Sequence, residues 1–365
     1  MKKNLHLVPG IDGGGIERVL ERYISILEKM NLKGVDQVFI KHDIIDGLLT
    51  KKFKEKGFNV YTIKSKRKNI ISFTLNFIRI LKKERPSSVH IHLNYASWYP
   101  LLISYFIGIK TRIIHSHQYY PNEKIITKIF NKIFSFIWIF ATHKLACSNE
   151  AGRWMYGKSK FIILPNSMVI NDFKFNTNFR KSIRNKFNLS DKFVVGHIGR
   201  YSLQKNQIFL LDVFNRLLKI NQLNAHLFII GHGEKEMEIK NYVEELKISK
   251  FVTFLKPRND INKFYNAFDV FFLPSLFEGL GIVAVESQIN GLTTVVSDIL
   301  PKDLEVTQNL RKISLESSLE EWANALYLNT NIKRKTSYKY FLETKFNSIN
   351  DYAKKLYEIY LNQPI

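Results

Sequence analysis

The chain has 365 residues, 45% hydrophobic and 24% charged, with 17 glycines and 9 prolines; that apolar share excludes disordered and low-complexity classes, and the length suits two domains. The one cysteine, Cys147, excludes an internal disulfide or a cysteine metal cluster and points to a reducing compartment or a disulfide-free fold. The formal charge is +23, and residues 1–175 carry 29 basic and 12 acidic side chains, +17 of that total; such a field attracts nucleic acid, anionic lipid headgroups or phosphorylated substrates without choosing among them.

Short β-rich apolar runs alternate with amphipathic stretches, the pattern of parallel α/β sheets. The opening Met1–Pro9 is too short and polar for a signal-peptide core. Strands are expected at Leu5–Val8, Gln37–Ile40, Val60–Ile63, Ser88–Leu93, Arg112–His117, Lys144–Ser148 and Phe161–Leu164. Helices are expected at Ile16–Met30, Ile70–Glu84 and Glu123–Phe140. The apolar run Ala96–Ile109 falls short of the ~20 residues that span a bilayer, so a cytoplasmic chain is expected. A polar segment from Pro165 to Asn178 reads as an interdomain connection. The alternation then restarts with strands at Phe193–Ile198, Ala225–Ile230, Val252–Leu255, Val270–Leu273 and Thr293–Ser297. Helices follow at Gln207–Lys219, Lys235–Leu246, Ile282–Asn290, Leu319–Leu328 and Tyr338–Leu361.

Four places carry residues suited to chemistry. Gly13-Gly14-Gly15 follows the first strand and opens a helix, as an anion-binding turn or as a plain strand–helix turn. No Gly-Lys-Ser/Thr follows, so it is not a Walker A loop. Arg200 and Lys205 follow the strand Phe193–Gly199 and offer two cations to a diphosphate, or are two solvated charges. Glu278-Gly279-Leu280-Gly281-Ile282 leads into a helix that holds Glu286. Two carboxylates suit pairs of sugar or ribose hydroxyls, and the Gly281 and Ile282 amides at the helix start suit a phosphate. His115 and His117 end a strand, while His90 and His92 share one face of the strand before it. No carboxylate or cysteine stands at ligand spacing and no Asp-x-Asp motif occurs, so no metal is expected.

Two basic amphipathic stretches stand apart from these. Lys124, Lys128 and Lys132 form a stripe beside Ile126, Ile129, Phe130, Ile133 and Phe136, and Lys64–Lys68 leads into Ile70, Ile71 and Phe73. Each is a helix packed on a sheet or a helix lying on an anionic membrane.

Taken together, these residues resemble the retaining GT-B glycosyltransferases of the Glu-x7-Glu family, especially the bacterial capsular and exopolysaccharide subgroup. The resemblance runs over nearly the whole chain. It is carried by Gly13–Arg18, His92–Tyr95, Arg112–His117, Ala146–Gly152, Gly196–Arg200, Lys205-Asn206 and Leu273–Leu280 with Glu286. Asn206 stands where many relatives carry glycine, and Gln118 is an unusual neighbour for His117.

The resemblance implies an α/β protein with two Rossmann-like domains facing across a cleft. Residues 1–175 would form the acceptor side and residues 176–337 the nucleotide-sugar domain, with a helix at about 338–361 returning to the first domain. It implies that Arg200 and Lys205 neutralise the donor diphosphate and that Glu286 holds the ribose. Glu278, with the Gly281 and Ile282 amides, would hold the donor sugar, and Gly14 and Gly15 would let the first domain's loop approach the phosphate. His117 would line the sugar site, with His115 as second choice. The activity implied is retaining, metal-independent transfer of a hexosyl or N-acetylhexosaminyl group from a nucleotide-sugar, a UDP-sugar above others. The acceptor would be a lipid-linked glycan in cell-surface polysaccharide synthesis, and no cofactor is expected. The expected setting is cytoplasmic, on the anionic inner face of the plasma membrane, with no nucleic-acid partner. Two rivals are a nucleotide-sugar epimerase on the same fold and a basic nucleic-acid-binding protein. The second has no recognisable nucleic-acid module behind it.

Overall fold

The structure, a computed structural model, describes residues 2–10, 15–32, 34–42, 48–119, 133, 135–165, 170–220, 223–327, 334 and 349–361. The chain divides into two compact units, residues 1–168 with 348–365, and residues 169–347.

The first unit is built on a parallel sheet of β1 (Lys2–Leu7), β2 (Val35–Lys41), β3 (Asn59–Thr62), β4 (Ser88–Ile91), β5 (Thr111–Ser116), β6 (His143–Ala146) and β7 (Ile162–Ile163). Their spatial order is β3-β2-β1-β4-β5-β6-β7. The helices are α1 (Gly15–Lys29), α2 (Leu48–Glu55), α3 (Ile70–Glu84), α4 (Trp98–Phe106) and α5 (Asn149–Tyr156). Parallel strands are covered on both faces, which is why they read as apolar runs. The start of α3 is set by Asn69, whose side chain accepts from the Ser72 amide at 2.8 Å. Its end is set by Arg85, left-handed at φ 48°, ahead of Pro86. Phe73, Phe77, Ile80 and Leu81 of α3 join Leu5, Leu7, Val89 and Ile91 in one core.

The second unit repeats the plan. Its parallel sheet has β8 (Phe193–Ile198), β9 (Ala225–Ile230), β10 (Val252–Leu255), β11 (Val270–Leu273), β12 (Thr293–Ser297) and β13 (Leu310–Ile313), in the order β10-β9-β8-β11-β12-β13. Around it run α6 (Thr177–Lys186), α7 (Gln207–Lys219), α8 (Glu236–Glu245), α9 (Ile261–Ala267), α10 (Ile282–Ile289) and α11 (Leu319–Tyr327). A last helix, α12 (Ile349–Tyr360), packs on α1 of the first unit, where the Lys2 ammonium donates to the Leu361 carbonyl at 2.5 Å.

The structure departs from the sequence expectations in several places, and the short helices α2, α4, α5 and α9 are not among those expected. The division falls at 168/169 rather than 175/176, because the turn Ile170–Phe173 belongs to the second unit. There Asn290 Nδ2 donates to the Phe173 carbonyl at 2.9 Å and Asn262 Nδ2 to the Asp172 carbonyl at 3.1 Å. Ser135–Phe140 forms 3-10 turns instead of the end of a long α-helix. Strand β13 was not expected, since Leu310-Arg311-Lys312-Ile313 is a half-exposed edge with too few apolar residues to stand out. Helix α6 occupies part of the segment read as a connection, capped by Asn176. Gly14, the basic stripe Lys124, Lys128 and Lys132, and residues 338–348 of the last expected helix lie outside the described residues.

Candidate functional site

Two loops at the carboxyl ends of β8 and β11 are tied together in the second unit. The first, residues 199–206, is braced from below by His197. That ring donates from Nδ1 to the Phe272 carbonyl at 2.9 Å and accepts from Gln207 Nε2 at 3.3 Å. Burial pushes its pKa down to about 4, so it stays neutral and can do both. Gln207 Nε2 also donates to the Arg200 carbonyl at 2.8 Å. The second loop, residues 274–281, is joined to the first by three bonds. The Leu276 amide donates to the Gln204 carbonyl at 2.9 Å, Gln204 Nε2 to the Phe277 carbonyl at 3.0 Å, and Asn206 Nδ2 to the Pro274 carbonyl at 3.2 Å. Asn206 is left-handed at φ 55° and caps α7, a conformation asparagine adopts more readily than most residues.

This joint brings Lys205 and Glu278 together. Lys205 Nζ lies 2.5 Å from Glu278 Oε1, with only 13% and 8% of the side chains exposed. Gln204 Nε2 adds a longer bond to Glu278 Oε2 at 3.4 Å. Arg200 is not part of that pair. It is two-thirds exposed, and its Nε donates to Glu234 Oε2 at 2.9 Å. Burial of an ion pair is worthwhile only when both charges are held, and the two tied loops hold them.

Gly281 sits at φ 72°, ψ 50°, immediately before α10, so the chain turns sharply and the Ile282 amide opens the helix. Glu286 lies one turn further and is buried, its Oε2 accepting from Tyr265 Oη at 2.8 Å. The two carboxylates thus differ in setting, Glu278 in an ion pair and Glu286 in a buried hydrogen bond.

Sequence reasoning missed Glu234, the partner of Arg200, and the loop that carries it. Gly231-His232-Gly233 directly follows β9, the same glycine-after-strand signal that singled out Gly13–Gly15. A Cβ on Gly231 would stand 1.9 Å from the Gly199 carbonyl oxygen, so glycine is what lets the two loops touch.

In the first unit five histidines form a buried seam across β1, β4 and β5. His6 Nδ1 lies 3.1 Å from His92 Nε2, His92 Nδ1 lies 2.8 Å from His117 Nε2, and His90 Nε2 lies 3.2 Å from His115 Nδ1. Burial holds all five below the ordinary imidazole range, His6 at about 4 and His117 at about 3. His6, His90 and His92, or His92, His115 and His117, place ligand atoms within 4.8 Å of one another. As donor sets they fit a cation poorly. Six of the ring nitrogens already bond to each other, and neither group contains a carboxylate or thiolate to offset a buried charge. His117 is further fixed by its amide, which donates to Asn94 Oδ1 at 2.9 Å, and Asn94 Nδ2 donates to Gln118 Oε1 at 3.0 Å. The unusual Gln118 therefore supports the residue that orients His117.

Residues 179–328, most of the second unit, match the family model described as "Glycosyl transferases group 1". The capsular polysaccharide biosynthesis glycosyltransferase CapH of Staphylococcus aureus is 26% identical over 87% of this chain and 88% of its own length. The UDP-Gal:alpha-D-GlcNAc-diphosphoundecaprenol alpha-1,3-galactosyltransferase of Escherichia coli is 26% identical over 71% of this chain and 70% of its own. Among solved structures, Anabaena Alr3699/HepE in complex with UDP-glucose superposes with a TM-score of 0.75 at 18% identity, over 98% of this chain and 99% of that one. The long alignments with named glycosyltransferases and the two Rossmann-like sheets lead to one assignment: the chain is a glycosyltransferase with the GT-B fold, and residues 179–328 of its second unit carry the match to group 1.

Proposed function

We propose that the chain transfers a sugar, with retention at the anomeric carbon and without a metal ion, from a UDP-sugar to a lipid-linked glycan in cell-surface polysaccharide synthesis. The observation that carries the donor site is the joint of the two loops, which holds Lys205 against Glu278 at the carboxyl ends of β8 and β11. In α/β folds ligands bind at such strand ends. Lys205, Arg200 and the Gly281 and Ile282 amides take the diphosphate and stabilise the charge that grows on it as the sugar leaves. Glu286, held by its bond from Tyr265, takes the ribose hydroxyls, and Glu278 takes hydroxyls of the sugar. The first unit supplies acceptor recognition and, through His117, a hydrogen-bonding group for the sugar. The uridine preference follows the UDP-glucose of HepE and the UDP-Gal donor in the name of the Escherichia coli relative, whose acceptor is a diphosphoundecaprenol.

The membrane setting is supported by the outer face of the first unit. Ile71 and Leu75 on α3, Phe106 at the end of α4, and Phe136 and Ile139 in the following 3-10 turns are 62% to 79% exposed. These elements adjoin, since Thr74 and Tyr99 hydroxyls meet at 2.7 Å and the Tyr105 and Phe140 rings at 4.5 Å. Between Lys56 and Asn149 the sequence has fifteen basic side chains and two acidic ones. One of those two, Glu84, is buried and paired with Lys3 at 2.8 Å. Exposed apolar groups among cations suit an anionic lipid surface. Among the described residues no helix is long and apolar enough to cross a membrane.

The test is a thermal-shift panel of UDP, GDP and their sugar conjugates with EDTA present throughout. A ligand that binds only the folded state raises the melting temperature. The expected result is a shift with UDP and UDP-sugars. A shift with guanosine conjugates alone overturns the uridine assignment, and no shift in folded protein overturns the donor site.

A further inference from the structure

The histidine seam has a direction. A neutral imidazole carries one N–H and one lone pair, so fixing one ring of a hydrogen-bonded chain fixes the next. Asn4 stands at the root. Its side-chain oxygen accepts from Ser88 Oγ at 2.7 Å, and its nitrogen donates to Gln37 Oε1 at 3.2 Å. The same nitrogen lies 2.8 Å from His6 Nε2. Asn4 Nδ2 is the nearer of the two polar atoms facing His6 Nε2, and with it as donor Nε2 is the lone pair and the proton sits on Nδ1. Gln37 Oε1 also faces His6 Nε2, at 3.0 Å, and accepts from it in the opposite tautomer, which the spectra below distinguish. His6 Nδ1–H then donates to His92 Nε2, and His92 Nδ1–H donates to His117 Nε2. The remaining proton of His117 lies on Nδ1, a buried atom with no hydrogen-bond partner among the described residues.

A second chain runs beside the first. The Asn4 amide also bonds the Tyr360 hydroxyl, which meets His90 Nδ1 at 2.9 Å. Having accepted from Asn4, Tyr360 donates to His90. His90 Nε2–H donates in turn to His115 Nδ1, leaving an N–H on His115 Nε2, also buried and without a partner among the described residues. Both chains thus end in an unused N–H on the strand β5 side, where an incoming oxygen would be the missing acceptor.

We propose that Asn4, acting through His6 and His92, is a positioning residue that holds His117 in the Nδ1–H form so that it donates to a hydroxyl of the transferred sugar. Tyr360 and His90 hold His115 in the Nε2–H form by the same means. The inference rests on the reading of His117 as a sugar-site group, and it adds five residues that touch no substrate.

The test uses the full chain labelled with nitrogen-15 histidine, with ring tautomers read from long-range proton–nitrogen spectra at neutral pH. His6, His92 and His117 are expected as Nδ1–H, and His90 and His115 as Nε2–H. Asn4→Leu removes the root donor, so His6 Nε2 donates to Gln37 and the first chain reverses. His117 then carries its proton on Nε2, and kcat is expected to fall at least about tenfold while UDP affinity is unchanged. Tyr360→Phe frees the second chain alone, so His115 loses its fixed form and His117 keeps Nδ1–H. An Nε2–H His117 in the unaltered protein overturns the proposal, and that spectrum decides even if Asn4→Leu does not fold. A reversed His117 with unchanged kcat overturns the positioning role. The spectra need no donor, so failure of the sugar-site reading shows separately, as absence of UDP-sugar binding.

Discussion

The two units share a parallel-sheet plan and put their polar groups in opposite places. In the second unit Val195, Leu227, Ile229, Val270, Phe272 and Val295 make one apolar core, and among the described residues the sheet buries only two imidazoles, His197 and His226, which do not bond each other. Its charges stand in the loops beyond the strands, Lys205 against Glu278 and Arg200 against Glu234. In the first unit the polar groups lie inside the sheet, where His6, His90, His92 and His115 are 0% to 2% exposed, while Phe106 and Ile139 face outward at 79% and 73%. Charge at strand ends suits an anionic ligand that must bind and leave. A neutral buried network suits groups whose proton positions must not vary, and exposed apolar groups suit a surface.

The largest effect separates the two carboxylates of the second unit. If Glu278 holds two sugar hydroxyls, as proposed, Glu278→Ala removes two charge-assisted bonds, each about 2 kcal/mol, and transfer should fall roughly a thousandfold. Free UDP should bind as well as before, because Lys205 loses its carboxylate partner and keeps its charge for phosphate. Glu286→Ala should instead weaken UDP about thirtyfold, the worth of one such bond. Calorimetry with UDP and steady-state transfer rates check the pair. Equal loss of UDP affinity in both variants would erase the distinction drawn from their settings.

Acid should separate the units. Six histidines of the first unit, the five of the seam and His143, are held below their ordinary range by burial, His6 at about 4 and His117 at about 3, against two in the second, His197 and His226, each at about 4. A folded-state value below the unfolded one means that the unfolded chain binds more protons, so stability falls as pH drops. For His6 the window runs from 6.5 down to about 4, and for His117 from 6.5 down to about 3. Each costs up to about 1.4 kcal/mol per pH unit within its window. Hydrogen exchange between pH 7.5 and 5 should show β1, β4 and β5 losing protection before β8 and β11. Simultaneous loss in both sheets would show that the seam does not set acid stability.

These differences explain what could be read in advance. Glu278 and Glu286 were legible because a loop, a glycine turn and a helix start occur in one short stretch, so spacing and chemistry coincide. The apolar strands β8, β9 and β11 were legible for the same reason that they are buried on both faces. The alternation rule put His90 and His92 on one face, but it could not say that His6 of β1 and His117 after β5 would complete the chain, since that depends on the strand order β1-β4-β5. Nor could it place Glu234 beside Arg200, because β8 and β9 become neighbours only through the sheet. The boundary at 168/169 escaped notice because the turn Ile170–Phe173 looks like a polar link until Ile170 and Phe173 are seen buried in the second unit.

The smallest effect concerns the outer face of the first unit. Phe106 is 79% exposed, so replacing it removes almost nothing from the folded core, and Phe106→Ser should leave the melting temperature within about one degree. Its contribution to a bilayer is limited by how much of the ring enters it. Partial burial of a phenylalanine is worth about 1 kcal/mol, so binding to vesicles of anionic lipid should weaken about fivefold. Ile139→Ser should act alike, and the double replacement should weaken binding further than either alone. Vesicles without anionic lipid provide the control, since fifteen basic side chains against two acidic ones between Lys56 and Asn149 make the charge term the larger part. Transfer to a soluble acceptor analogue should be untouched, because the patch lies on the outer faces of α3, α4 and the 3-10 turns rather than in the loops that hold Lys205 and Glu278. If vesicle binding survives both replacements but is lost at high salt, the surface is electrostatic alone and the apolar side chains belong to some other contact.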